Sequence, residues 1–239
     1  MTLREAHGQH YPEGVDYRQA TDDRACVPAS IAYLLFRIGA PRELWTPDAV
    51  DVHLGRRPGE PAHNLQSGVL LLADNGARIT EISSYDKDRF IRGGLEYLVE
   101  YVSTSESAGG DLFRENPRSF FELWTPQRVE AQQEYERDLL DKVKLLGDDW
   151  TWVHKKPDLQ DVVRGAEQDS FVVARMQSSV PSLFHTRVAL ERLTSDDGVP
   201  SGFVVFDNDY VPPITEWTDS GFSSRLLVDD GLTIVSVDS

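Results

Sequence analysis

The sequence predicts an α+β protein, and three observations carry that prediction. Apolar residues recur at helical spacing through the first part of the chain; runs rich in Val, Phe and Thr take over after about Asp149; and an Asp-Asp-Gly turn joins two of those runs. With 239 residues the chain can build a full core without a disulfide or metal staple. The reading is one domain, 1–239, made of a helical lobe (1–84), a helical middle (85–148) and an antiparallel sheet lobe (149–239).

Each element has a local reason. The stretch "TDDRACVPASIAYLLF", starting at Thr21, leads from hydrophilic residues through Cys26 and Pro28 into an apolar helix, which the Gly39-Ala40-Pro41 turn ends. In "TPDAVDVHL", Thr46 is the N-cap and Pro47 the first helical residue. "NLQSGVLLLADNG" predicts a helix spaced by Leu65, Val69 and Leu72 and stopped at Gly76, and "ARITEIS" alternates as a short strand. "RFIRGGLEYLVEYV" is helical through Leu95, Leu98, Val99 and Val102, "SESAGGD" is a surface loop, and "TPQRVEAQQEYERDLLDKVKLLG" is a long exposed helix closing on Gly147. "WTWVH" alternates again and "KPDLQDVVRGAEQ" is a short helix. Strands follow at Ser170 to Met176, His185 to Leu193 and Gly202 to Asp209, and "LLVDDGLTIVSV" predicts a closing hairpin on its Asp-Gly.

Charge narrows the function classes. Forty acidic and 24 basic side chains give a net −16, and no basic stripe is present for a phosphate backbone, which argues against a nucleic-acid partner. The basic residues are nearly all arginine, with five lysines, a bias that fits either a high-salt cytoplasm or a GC-rich genome. No apolar run approaches the roughly 18 residues of a membrane span, and "MTLREAHGQH" lacks the apolar middle of a secretory signal. The expectation is a cytoplasmic protein with no membrane partner. A single cysteine forms no internal bridge.

That cysteine is the most chemical feature of the chain. A thiol where the chain enters a helix meets unpaired N–H groups and the positive end of the helix dipole, both of which favour thiolate. Arg24 would help, whereas Asp22 and Asp23 oppose thiolate unless they point away or cap the helix. The other reading is a buried structural cysteine. His185 opens one predicted strand and Asp207 ends the next, so adjacent strands bring a carboxylate beside an imidazole. A thiol, a base and an acceptor that fixes the base's tautomer are the parts of a cysteine-protease site. Asn208 and Asp209 are alternative acceptors. His7 and His10 sit in a solvated tail, and His53, His63 and His154 have no companion ligands at telling intervals. No phosphate loop, zinc motif or calcium loop is present, so neither cofactor nor metal is expected.

The stretch "YRQATDDRACVPASIAYLLFRIG" resembles the start of the bacteriocin-processing, double-glycine peptidase-like group of papain-like cysteine peptidases, which opens with a Gln a few residues before a Cys-Gly-Pro-Ala helix start. "DLQDVVRGAEQDSFVVARMQ" is similar to the segment before that group's histidine, and "FHTRVALERL" and "FVVFDND" match its histidine and aspartate strands. The likeness spans about Val15 to Leu72 and Asp158 to Asp209. It implies a papain-like fold with the Cys on a helix start and the His and Asp on a C-terminal antiparallel sheet. It also implies Cys26 as nucleophile, His185 as base, Asp207 as its orienting group and Gln19 as oxyanion donor. Val27 stands where the group has glycine, and Gln19 lies seven residues ahead of Cys26, one more than usual. The implied function is a thiol hydrolase of a peptide or related amide bond, with a peptide or protein as substrate. An acyltransferase using the same site, or an inactive binding or regulatory protein on that scaffold, are the alternatives.

Overall fold

The computed structural model describes residues 12, 15, 17, 26–55, 65–105, 108–166, 170–177, 184–195, 197–208, 213–226 and 231–237. Capping side chains start many of the helices. The first helix, α1, is Cys26–Arg37. Thr46 accepts from the Ala49 amide and begins α2, Pro47–His53. Then come α3, Leu65–Asp74, and strand β1, Arg78–Ser83. Asp86 caps α4 (Lys87–Thr104), Asn116 caps α6 (Pro117–Leu123) and Thr125 caps α7 (Pro126–Leu146). Each leaves one fewer orphan N–H in the first turn. A capping box of Asp158 and Asp161 opens α8, Leu159–Gly165.

Two expectations for the middle change. Helix α5, Ala108–Glu115, occupies most of what the sequence reads as the "SESAGGD" loop: Gly109 and Gly110 are poor helix formers, but the apolar Leu112 and Phe113 that follow pack against neighbouring aromatics. Helix α4 is broken at Gly94, whose φ of 52° suits glycine. Gln133 of α7 donates to the carbonyls of Phe90 (3.2 Å) and Ile91 (2.9 Å), satisfying groups that the break would leave bare.

Beyond β2 (Trp150–His154) the chain forms β3 (Ser170–Gln177), β4 (Phe184–Thr194), β5 (Pro200–Phe206), β6 (Ile214–Thr218), α9 (Asp219–Ser223) and β7 (Leu232–Ser236). Among the described residues all seven strands join one sheet in the order β2-β1-β7-β3-β4-β5-β6. The sheet is therefore mixed and not confined to the C-terminal part. β1 belongs to it and pairs in parallel with β2, and the helical middle is the crossover that a parallel pair requires. The predicted closing hairpin is also corrected. β7 pairs antiparallel with β1 on one side and β3 on the other, so both its edges are taken; residues 227–230 lie outside the described set.

Helices cover both faces. Ala29, Ile31, Leu34 and Leu35 of α1 and Val69 and Leu72 of α3 pack on Ile79, Val173, Val188 and Phe206. On the other face Val162 of α8 and Phe222 of α9 meet Ile82, Val172, Ala189 and Phe203. A third cluster, Phe90, Tyr97, Leu98, Val102, Phe120 and Val129, joins the middle helices to one another. Between the middle and the sheet lies a buried polar knot. Glu81 of β1 faces Gln66 of α3, Lys87 of α4 and Glu136 of α7, with Lys87 Nζ 3.1 Å from Glu136 and 4.9 Å from the Trp152 ring. Among the described residues no helix is long and apolar enough to cross a membrane.

Candidate active site

Cys26 is the first residue of the twelve-residue α1 and is half-buried. Its backbone N–H is among those that a helix start leaves without an intrahelical acceptor, and the positive pole of the helix falls on its side chain. Val27, which follows it, turns into the core and is buried there. The helix is held against the sheet by its aromatic face. The Tyr33 ring stacks on Phe206, the last residue of β5, with centroids 4.3 Å apart, and Tyr17 meets both rings edge-on. Ser30 Oγ donates to the Thr186 carbonyl at 3.4 Å.

Strand register brings the other groups together. Val188 of β4 pairs with Phe206 of β5, so the residue before one and the residue after the other, Arg187 and Asp207, stand opposite. Side chains alternate along a strand, so His185 shares the face of Arg187. The Asp207 carboxylate bridges them: Oδ1 lies 2.7 Å from His185 Nε2, and Oδ2 accepts from Arg187 Nε at 2.5 Å. His185, Arg187 and Asp207 are 7%, 2% and 0% exposed. With Nε2 on the carboxylate, Nδ1 is the ring nitrogen left for the cysteine, and imidazole and sulfur are close enough to shift each other's titration.

The charges are mutually supporting. Burial alone would push the Cys26 thiol up. Hydrogen bonding and attraction from His185, with donors from the Thr186 backbone and hydroxyl, outweigh it and hold the thiol below its ordinary value. Burial likewise opposes the imidazolium, but the Asp207 carboxylate and the Cys26 sulfur raise His185 to about 9. Asp207 would rise on burial too; His185 and Arg187 keep it below the usual carboxylate range.

Three of the four residues singled out in the sequence, Cys26, His185 and Asp207, thus converge, and Gln19 lies outside the described residues. The acceptor on His185 is Asp207. Asn208 Oδ1 is buried without a hydrogen-bond partner among the described residues, and Asp209 is outside them. His53 and His154 stand apart from the site, His7, His10 and His63 are outside the description, and among the described residues no three His, Cys, Asp or Glu gather as a metal site. Sequence reading missed Thr186 and Arg187. The available signal was Arg187 at position i+2 from His185, a charge on the imidazole's own strand face just before the apolar Val188-Ala189-Leu190.

No protein family and no curated protein matches the sequence. Among solved structures, the chain is similar to the peptidase domain of Streptococcus ComA, a bifunctional ABC transporter involved in a quorum-sensing pathway. The TM-score is 0.34 and the identity 13%, over 91% of this chain and 94% of that one. A superposition that loose leaves the reading of the site to its own geometry.

Proposed function

We propose that the protein is a papain-like thiol hydrolase that cleaves a peptide or related amide bond. The observation that carries this is the Cys26 thiol at a helix N-terminus, held below its ordinary titration by an imidazole whose Nε2 is 2.7 Å from a buried carboxylate. The Cys26 thiolate attacks the carbonyl carbon, forming a C–S bond and moving the carbonyl π electrons onto oxygen. The Cys26 backbone N–H supports that oxyanion, and Gln19 is proposed as the second donor, an interaction of a kind worth roughly 3 kcal/mol. As the oxyanion collapses the C–N bond breaks, and the leaving nitrogen takes the proton from the His185 imidazolium. Neutral His185 then takes a proton from water, whose oxygen attacks the thioester; the C–S bond breaks and the thiolate–imidazolium pair returns. Asp207 keeps the proton on Nε2 and the lone pair toward sulfur.

The test is alkylation of Cys26 by iodoacetamide at pH 7. An ordinary thiol is only a few per cent thiolate there, so the wild type is expected to react at least about tenfold faster than free cysteine, and His185→Ala to lose that advantage. A wild-type rate equal to that of free cysteine, or one indifferent to His185→Ala, overturns the proposal. Acyl groups trapped on Cys26 and followed by mass spectrometry are expected to leave to water; transfer only to an added amine would make the protein an acyltransferase.

A further inference from the structure

We propose that Arg187 is a positioning residue of this site, clamping one oxygen of Asp207 so that the other stays on His185. The inference rests on the thiol-hydrolase reading and adds a residue that acts through Asp207 without touching substrate.

A carboxylate with a single partner turns about its Cβ–Cγ bond, and its acceptor oxygen wanders. Asp207 has a partner on each oxygen, His185 Nε2 at 2.7 Å and Arg187 Nε at 2.5 Å, so its plane is fixed from both sides. Arg187 is itself held. Its guanidinium lies 4.9 Å from the centre of the Trp217 ring, Arg225 lies 5.3 Å from that ring, and the indole N–H is tied to Thr215 Oγ1 at 3.1 Å. A planar cation stacked on an aromatic ring offers its edge N–H in a fixed direction, which an ammonium does not. Cross-strand register favours the contact, because Arg187 and Asp207 are opposed whenever Val188 pairs with Phe206.

Charge bookkeeping adds a second reason. With thiol and neutral imidazole, the buried charges are Asp207⁻ and Arg187⁺. With thiolate and imidazolium they are two of each sign. Arg187 makes the buried group neutral in both states, so a proton passing from sulfur to nitrogen leaves no unbalanced charge in the interior. Without it both states carry a net negative charge away from water.

Two substitutions separate orientation from mere charge balance. Arg187→Lys keeps a cation but gives up the planar clamp; Arg187→Met gives up both. On the full chain, the titration of the His185 ring is followed by NMR and Cys26 alkylation by iodoacetamide is followed against pH. If Arg187 positions Asp207, Arg187→Lys lowers the His185 titration by about one pH unit and slows alkylation at pH 7 several-fold, because the hydrogen bond to the imidazolium is loosened. Arg187→Met then also titrates lower. If Arg187 is only a counter-charge, Arg187→Lys leaves both profiles unchanged and Arg187→Met moves the His185 titration up, since a repelling cation has gone; either result overturns the proposal. Should Arg187→Met not fold, Arg187→Lys decides alone. Failure of the underlying reading looks different: wild-type Cys26 would already react like free cysteine, and His185→Ala would change nothing.

Discussion

At the scale of single residues the site is a proton held between two partners. The folded pair is thiolate and imidazolium above the lowered thiol value and below about 9, where the imidazolium titrates. An unfolded chain between about pH 6.5 and 8.5 carries thiol and neutral imidazole. Each state then holds one proton on the pair, so the pair adds no slope to stability against pH in that range. Removing the sulfur exposes the histidine. In Cys26→Ser the sulfur's share of the His185 rise is gone and the Asp207 share remains; that stabilisation is complete below about pH 6.5 and drains away as pH rises, by no more than about 1.4 kcal/mol per pH unit. Urea unfolding from about pH 6.5 to 8.5 is expected to show this fall in the variant and not in the wild type; parallel curves would mean that no proton is shared. Cys26, His185 and Asp207 were legible in the sequence because each stands at the end of an element, where chemistry-bearing side chains are conspicuous. Arg187 was not. It sits inside a strand pattern, and only register shows that it meets Asp207 and not solvent.

At the scale of elements, one ring pair joins α1 to the strand that leads into Asp207. Phe206 is fully buried, stacks on Tyr33 and directly precedes Asp207. Phe206→Ala removes the stack and leaves a void, so it is expected to cost about 3–5 kcal/mol. It is also expected to slow Cys26 alkylation, because α1 and the carboxylate strand lose their common anchor. Chemical unfolding and alkylation rates measured on the same sample check both, and a stability loss with no change in Cys26 reactivity would uncouple the anchor from the site. The helices were legible where a cap or a stop announced them, as at Thr46 and Gly147. Helix α5 was not, since two glycines read as loop until packing by Leu112 and Phe113 is known. Strand order was equally hidden: local alternation identifies a strand without identifying its neighbours.

At the scale of the whole molecule, the helical middle is joined to the sheet through charged groups taken out of water. Burial raises Glu81 to about 6, with Glu136 adding repulsion, against the pull of Lys87 and a hydrogen bond from Gln66. Between pH 4.5 and 6 the folded protein therefore binds more protons at Glu81 than the unfolded chain does, and stability falls as pH rises through that window, by about 2 kcal/mol in all. Glu81→Gln removes the slope. Denaturant titrations are expected to show the variant gaining on the wild type from pH 4.5 to 6 and keeping a constant lead above; a difference that does not vary with pH would place the titration elsewhere. The connection matters because the polar knot ties the helical middle to β1, and β7 ties β1 to β3 and so to the strands that carry His185 and Asp207.

β7 has a consequence for how the protein is made. Since Leu232–Ser236 fills the gap between β1 and β3, a ribosome that has not yet delivered those five residues holds two separate ladders, β2-β1 and β3-β4-β5-β6, each with a bare edge in the place where the last strand will zip them shut. Nascent chains halted short of Leu232 are accordingly prone to borrow a strand from a neighbour, and synthesis of β7 doubles as the step that closes the sheet.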